Sequence, residues 1–211
     1  MQRRWLLLGM GASSLVATGA GLWLTRNRTD VQTVPGDDIC IVAPTHAYDP
    51  ATGLPMTAPR EVPAQARCPV CGMYPARHRR WAAQVIFQDG DVQFLDSPLS
   101  LFQYLQQVSR YTPGRHASHI AAVYVSDQDS GQWLEVDEAV FVHGSSLMGP
   151  MRSGNLPAFA SEAQAQAFIN LRGGFTMTAA RLRQKLPEDL QALTPHVHDR
   201  SSSRCPFAHL P

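Results

Sequence analysis

Three sulfur-bearing side chains fall within one short stretch, Cys68-Pro69-Val70-Cys71-Gly72-Met73. Thiolate and thioether sulfurs are soft donors, which select Cu(I) over hard ions such as magnesium and calcium. A second sulfur pair follows in Met148-Gly149-Pro150-Met151, where the flanking glycine and proline favour a loop over a buried helical stripe. The candidate metal ligands are therefore Cys68, Cys71, Met73, Met148 and Met151, whereas Met177 lies in an apolar strand pattern and is expected in the core.

The spacing of the cysteines leaves other interpretations open. Cys-x-x-Cys also serves zinc binding and thiol exchange, and Met73 could simply fill a gap in a core. A structural zinc site needs two further close ligands, of which His78 supplies one candidate. A thiol-disulfide oxidoreductase places this motif at a helix N-terminus, where the dipole lowers the thiol pKa. Pro69 and Pro75 indicate that no helix starts here.

Additional soft or borderline donors lie outside these two motifs. Cys40, His46 and Met56 occur in a proline-rich segment that precedes the first motif. The C-terminal segment carries His196, His198, Cys205 and His209, which resembles a flexible metal-collecting tail; a disordered or tag-like end is the alternative. Their participation in metal binding is left open.

The elements that must position the first motif follow it directly. Alternating apolar residues predict a strand over 81–87, and Asp89-Gly90 is a strong hairpin signal before a second strand over 92–95. Asp96 or Ser97 can cap a helix that has Pro98 at its first position and apolar residues at helical spacing through Val108. A further apolar strand over 120–126 completes a β-β-α-β order.

The second half repeats this order. Strand-forming residues run from Gln132 to Val142, and a short strand follows over 158–160. Ser161 to Gln164 predicts a helix start and Gly173-Gly174 its end, before a last strand over 175–178 and a final helix over 179–186. The predicted fold is α+β, with two tandem β-β-α-β units forming one small globular body with mostly antiparallel sheets.

The N-terminal region predicts export or anchoring. Residues 5–24 carry no charge after Arg3 and Arg4, and about 20 apolar residues suffice to cross a bilayer core of roughly 30 Å. We interpret residues 1–28 as a membrane anchor, with a cleaved secretory signal as the alternative. The expected organisation continues with a proline-rich tether or extended arm over 29–66, a globular domain over 67–193 and the tail over 194–211. The net charge of +1 gives no indication of a nucleic-acid partner.

The motifs, taken in order, resemble the NosL family. Each piece occurs in family order across about residues 67–180, and the combination is more specific than Cys-x-x-Cys alone. The matching pieces are Cys68 to Met73, Asp89-Gly90, Phe94-Leu95-Asp96, Val123 to Asp127, Gly131-Gln132-Trp133, Met148 to Met151, Pro157 to Ala160 and Gly173-Gly174.

This resemblance implies a Cu(I)-binding metallochaperone and not an enzyme. Its partners would be apo-nitrous oxide reductase or another copper enzyme, and an ABC-type membrane complex at the periplasmic face of the cytoplasmic membrane. Cys71 and Met73 match the family's Cys-Gly-Met pair, and Met148 or Met151 matches the methionine of its Gly-Pro-Met loop. The implied fold, two β-β-α-β units, is similar to part of an organomercurial lyase, but fold does not imply function, and the sequence shows no candidate general acid to pair with the cysteines.

Three features depart from the family pattern. Members are typically lipoproteins, whereas this chain has an apolar N-terminal run and no lipid-accepting cysteine close after it. Arg152 stands where a glycine usually follows Gly-Pro-Met. The histidine- and cysteine-containing tail is the third departure, and it leaves the identity of the copper-receiving enzyme open.

Overall fold

An antiparallel hairpin forms one side of the first sheet. Strand β1 (Ala83–Phe87) turns back into β2 (Val92–Leu95), with Gly90 at φ +84°, a left-handed conformation that favours glycine. The computed structural model describes residues 43–152 and 156–191. Strand β3 (Ile120–Ser126) pairs with the other edge of β1, and β4 (Trp133–Glu135) pairs with β3, giving the order β2-β1-β3-β4.

The second sheet has the order β6-β5-β7, again antiparallel. Its strands are β5 (Val140–His143), β6 (Ala158–Phe159) and β7 (Phe175–Thr178). The strand-like stretch from Gln132 to Val142 is therefore divided between two sheets. A turn in which the Glu138 and Ala139 amides donate to the Glu135 carbonyl, at 3.1 and 3.2 Å, separates β4 from β5.

Helix α1 (Pro98–Gln106) links β2 to β3, and its start identifies the cap. The Ser97 side chain accepts a hydrogen bond from the Ser100 amide at 3.3 Å, so Ser97 caps the helix and Asp96 does not. The helix is shorter than predicted because Gln107 has non-helical dihedrals (φ −144°, ψ 52°), and a separate turn α2 (Val108–Tyr111) follows it.

The remaining helices belong to the second unit. Helix α3 (Glu162–Arg172) is capped by Ser161 and ends at Gly173, as its sequence signals predicted. Helices α4 (Ala179–Gln184) and α5 (Glu188–Gln191) follow β7, so the predicted helix over 179–186 ends earlier and a second one comes after it. Two strand predictions also change: β1 begins at Ala83 because residues 75–81 form 3-10 turns, and β6 stops at Phe159.

Each half has the β-β-α-β order, β1-β2-α1-β3 in the first unit and β5-β6-α3-β7 in the second, and both contribute to one core. Phe102 of α1 meets Phe141 of β5 edge to face, with ring centroids 5.2 Å apart. The buried core cluster also contains Phe87 and Leu95 from the first unit together with Leu182 from α4. Cys68 and Val70 of the sulfur motif pack into this same cluster, which ties the loop to both units.

Residues 43–66 run as an extended arm along the other face of the first sheet. His46 exchanges two backbone hydrogen bonds with Val92, at 2.8 and 2.9 Å, and its ring meets Phe94 edge to face at 5.4 Å. Farther along, the Arg60 backbone exchanges hydrogen bonds with the buried Gln84 side chain, and Val62 is buried against the sheet. The arm therefore completes a second, smaller core.

Some sequence-based predictions lie outside the described residues. These are the anchor or signal over 1–28, Cys40, and the tail with His196, His198, Cys205 and His209. Within 43–152 and 156–191, no helix combines the length and apolar character needed to span a bilayer.

Candidate metal centre

The loop that carries the cysteines folds back on itself. The Cys68 amide donates to the Met73 carbonyl at 2.9 Å, and the Gly72 amide donates to the Cys68 carbonyl at 2.8 Å. Gly72 has φ +75°, which a residue with a side chain adopts only with strain, so a glycine here lets the loop close. The closed loop brings Cys71 back towards Cys68.

Cys68, Cys71 and Asp96 form one cluster of donor atoms. One ligand atom from each residue lies within 4.8 Å of the other two. The Cys71 thiol donates to Asp96 Oδ1 at 3.2 Å. Cys68 and Asp96 are fully buried, whereas Cys71 is only partly buried. The cluster thus has an inner sulfur, an inner carboxylate and one sulfur that is open towards solvent.

Burial raises the pKa of the Cys68 thiol well above its ordinary value. The hydrogen bond with Cys71 and the negative charge of Asp96 raise that pKa further, while a bond to sulfur from the Asp96 backbone opposes the shift. A thiol with a raised pKa is protonated at neutral pH. A metal ion must therefore displace its proton before the thiolate can bind.

Asp96 is the least satisfied group of the cluster. Its Oδ2 atom is buried without a hydrogen-bond partner, and no lysine, arginine or histidine of the described residues forms a salt bridge with this carboxylate. A buried carboxylate oxygen without a partner is costly, about 1–3 kcal/mol or more. A cation held between the two sulfurs would offset this cost, so the residues present fit a metal ion.

The donor set narrows the metal without identifying it. Two thiols make the cluster soft enough for Cu(I), and thiolate with carboxylate is also within the range that zinc accepts. Thioethers favour copper over zinc, so the positions of the predicted methionine ligands bear on the choice.

The three predicted thioether ligands lie in two places. Met73 is partly buried on the cysteine loop itself. Met148 and Met151 lie in the turn region after β5 and are 56% and 46% exposed. Ligation by any of the three remains a prediction. Met177, by contrast, is 5% exposed and packs in the core.

Arg152 stands where the family usually has a glycine, directly after the methionine loop, Met148 to Met151. Its amide donates to the Gly149 carbonyl at 2.8 Å, closing a turn around Met151. Its φ of +56° is the only positive value among the described residues other than glycine. The turn keeps the left-handed backbone that glycine adopts freely, and the arginine accepts the strain.

Asp96 is the site residue that sequence reasoning missed. It was one of two candidate helix caps, because Asp and Ser cap helices about equally well. The sequence did contain one indication. A helix needs only one cap, so one of the two polar residues before Pro98, Asp96 or Ser97, was free for another role.

The environment of the cysteines opposes the oxidoreductase alternative. Cys68 and Cys71 are free thiols, and 3-10 turns begin only at Pro75, so no helix N-terminus lies at the motif. A nucleophilic thiol needs a lowered pKa, whereas burial raises that of Cys68. The motif is therefore built differently from a thiol-exchange site.

Comparisons with known proteins agree with the fold and the motifs. The family model of NosL matches residues 59–187. Among solved structures, the chain is similar to the crystal structure of the copper chaperone NosL from Shewanella denitrificans, with a TM-score of 0.50 and 21% sequence identity over 60% of this chain and 96% of that chain. A search of curated proteins gives no match. Because the family model covers more than half of the sequence and includes both sulfur motifs, the chain belongs to the NosL family.

Proposed function

We propose that this protein is a metallochaperone that binds Cu(I) and passes it to a copper enzyme. The observation that carries the proposal is the cluster of Cys68, Cys71 and Asp96, in which a buried carboxylate oxygen lacks a partner. The similar structure from Shewanella denitrificans is described as a copper chaperone, which favours copper over zinc for this soft donor set. The chain's role is to carry the ion and not to turn over a substrate.

The geometry suggests transfer by stepwise ligand exchange. Cys71 is the more accessible thiol and lies at the open side of the cluster, so an incoming donor would meet it before the buried Cys68. Replacement of one sulfur at a time keeps the ion bound throughout. The exposed thioethers of Met148 and Met151 are uncharged donors that stay available across pH, so they suit the exchange step.

The family resemblance supports a proposal for the receiving protein. We assign apo-nitrous oxide reductase as the first candidate, with another copper enzyme as the alternative. An ABC-type membrane complex would be the other partner, and residues 1–28 would hold the chain at the periplasmic face of the cytoplasmic membrane. These assignments rest on the family resemblance and on the sequence of the N-terminal run.

The first test is the Cu(I) stoichiometry and affinity of Cys71→Ser and Met73→Leu, measured by competition with a colorimetric Cu(I) chelator. Cys71→Ser removes a thiolate ligand and should weaken Cu(I) binding at least 100-fold. This loss of affinity corresponds to about 2.7 kcal/mol. Met73→Leu should have a smaller effect because a thioether is a neutral donor. Unchanged affinity in both variants would contradict the proposed site.

The second test separates the methionine loop from the core. Met151→Leu should lower Cu(I) affinity with little change in stability, because the side chain is 46% exposed. Met177→Leu is the matched control: this methionine is buried, so the change should affect stability by less than about 1.5 kcal/mol and leave Cu(I) affinity unchanged. Equal Cu(I) affinities in the two variants would remove Met151 from the site.

The alternative function is a thiol-disulfide oxidoreductase or copper-site reductant that uses Cys68 and Cys71. Insulin reduction by the dithiol form would support that function. Tight Cu(I) binding without reductase turnover would support the chaperone.

A further inference from the structure

Two arginines lie over one tyrosine ring beside the cysteine loop. The guanidinium carbon of Arg67 is 4.4 Å from the centroid of the Tyr74 ring, and that of Arg77 is 4.6 Å from it. Arg67 also donates a hydrogen bond to the Tyr74 hydroxyl. Cation–π contacts of this kind hold guanidinium groups in place, so less conformational entropy is lost when they bind a partner.

Neither of these arginines is neutralised. Both side chains are exposed, and within the described part of the chain neither forms a salt bridge with a carboxylate. The neighbouring Arg79, in contrast, is paired with Glu61. We call this group the arginine rim; it consists of Arg67, Tyr74 and Arg77. The rim therefore presents two ordered positive charges that no carboxylate of the described residues neutralises.

The arginine rim borders the loop that carries Cys68 and Cys71. Arg67 directly precedes Cys68, and its guanidinium lies 3.5 Å from the carbonyl oxygen of Gly72, the residue that follows Cys71. A protein that exchanges copper with Cys71 must approach this surface. Any carboxylates around its own copper site would then face the two guanidinium groups.

We propose that the arginine rim docks an acidic protein surface that surrounds the copper site of the exchange partner. This inference rests on the proposed copper-carrying function and adds the chemistry by which the partner is recognised. Planar guanidinium groups bind carboxylates through paired hydrogen bonds, and opposite charges accelerate encounter by roughly 10- to 1,000-fold at low salt. An anionic membrane is the less suitable occupant, because it has no copper-accepting donors to place opposite Cys71.

The probes are three synthetic peptides that share one Met-x-x-Met copper-binding centre and differ only in their flanks, which are glutamates, glutamines or lysines. The copper-loaded full chain is mixed with each peptide, and the rate of Cu(I) transfer is followed by stopped flow. Transfer to the glutamate peptide should be about tenfold faster than transfer to the glutamine peptide, and the advantage should shrink as salt rises. Transfer to the lysine peptide should be the slowest.

The decisive variant is the double substitution Arg67→Gln/Arg77→Gln. It should abolish the preference for the glutamate peptide, with unchanged Cu(I) affinity. The control is Arg172→Gln/Arg181→Gln, which removes the same charge from two exposed arginines in helices α3 and α4. This variant should keep the preference for the glutamate peptide. Loss of preference in both double variants would indicate a net-charge effect and would overturn the proposal.

A metal-independent measurement separates this inference from the copper assignment. Fluorescence anisotropy gives the Kd of the copper-free chain for each labelled peptide. If the chain failed to bind Cu(I) but still preferred the glutamate peptide through Arg67 and Arg77, the proposed function would be wrong and the acidic docking surface would stand. If it bound Cu(I) but did not distinguish the peptides, only the docking surface would be wrong.

Vesicle binding completes the test. Vesicles of phosphatidylcholine with phosphatidylglycerol should bind the wild type and the Arg67→Gln/Arg77→Gln variant equally. Reduced vesicle binding by this variant, with unchanged peptide transfer, would assign the arginine rim to the membrane surface and overturn the proposal.

Discussion

At the scale of single residues, Asp96 is the member of the cysteine cluster that has an unsatisfied polar atom. Its Oδ2 is buried without a partner, while its Oδ1 accepts a hydrogen bond from the Cys71 thiol. A buried carboxylate oxygen without a partner is costly to the fold. A cation bound by the cysteine cluster would relieve this cost.

Asp96→Asn tests this interpretation. The neutral amide should leave the metal-free protein equally stable or more stable by about 1–3 kcal/mol in urea unfolding. It should also weaken Cu(I) binding about tenfold or more, because the compensating negative charge is lost. A variant that is both less stable and unchanged in Cu(I) affinity would show that Asp96 has only a structural role.

Asp127 is the matched control for this substitution. It is also buried and, like Asp96, has one carboxylate oxygen, Oδ1, without a hydrogen-bond partner, while its Oδ2 accepts hydrogen bonds from the amide and the hydroxyl of Ser130, at 3.0 and 2.6 Å. It differs from Asp96 because it lies outside the cysteine cluster. Asp127→Asn should therefore leave Cu(I) affinity unchanged, whatever its effect on stability.

At the scale of elements, the extended arm is held to the β1-β2 hairpin. Its contact point is His46, which pairs with Val92 and lies against Phe94. Partial burial lowers the pKa of His46 below its usual value, since desolvation disfavours the charged ring. Protonation of His46 is therefore less favourable in the folded protein than in the unfolded chain.

This dependence predicts that acid weakens the arm. The unfolded chain has a histidine pKa of about 6.5, and the folded chain a lower one, so the unfolded state takes up the proton first as the pH falls below about 6.5. The contribution of His46 is fully present above that pH and declines below it. Urea midpoints measured at pH 7.5, 6.5 and 5.5 should fall towards acid.

His46→Phe should remove much of this acid-dependent decrease, because the ring contact with Phe94 is retained and the titrating group is gone. His116→Gln, which changes an exposed histidine, serves as the control and should retain the wild-type decrease. Identical pH dependences for wild type and His46→Phe would refute the assignment to the arm.

At the scale of the whole molecule, the two units share one core and should unfold together. Phe141 of the second unit packs edge to face on Phe102 of the first, inside the cluster that also contains Cys68. A cavity in place of the Phe141 ring would affect the packing of both sheets and of the cysteine loop. Coupled unfolding of the two units follows from this packing.

Phe141→Ala should cost about 3–5 kcal/mol, because it removes a fully buried aromatic ring. Hydrogen exchange should accelerate in β1 and α1 as well as in β5. Phe168→Ala is the control, since Phe168 is only partly buried and packs with Phe159 in a separate cluster of the second unit. Its effect on stability should be smaller, and faster exchange should be confined to the β6-β5-β7 sheet and α3. Normal exchange protection of β1 in Phe141→Ala would show that the units unfold separately.

The sequence by itself determined much of this protein. Local signals fix what adjacent residues can do: Asp89-Gly90 closes a hairpin, Pro98 opens a helix, and Gly173 ends one. The spacing of Cys68 and Cys71 likewise placed two thiols in one cluster, because a four-residue motif cannot separate them far. The element order of both units and the family resemblance came from the same local information.

Only the tertiary structure decided the rest, because those features depend on contacts between distant residues. Ser97 caps α1, whereas the Asp96 side chain accepts a hydrogen bond from Cys71, which lies 25 positions earlier in the sequence. The division of residues 132–142 between two sheets depends on which strands lie beside β4 and β5. Burial separates the accessible thiol of Cys71 from the high-pKa thiol of Cys68, a difference that two cysteines in one motif do not reveal by their spacing.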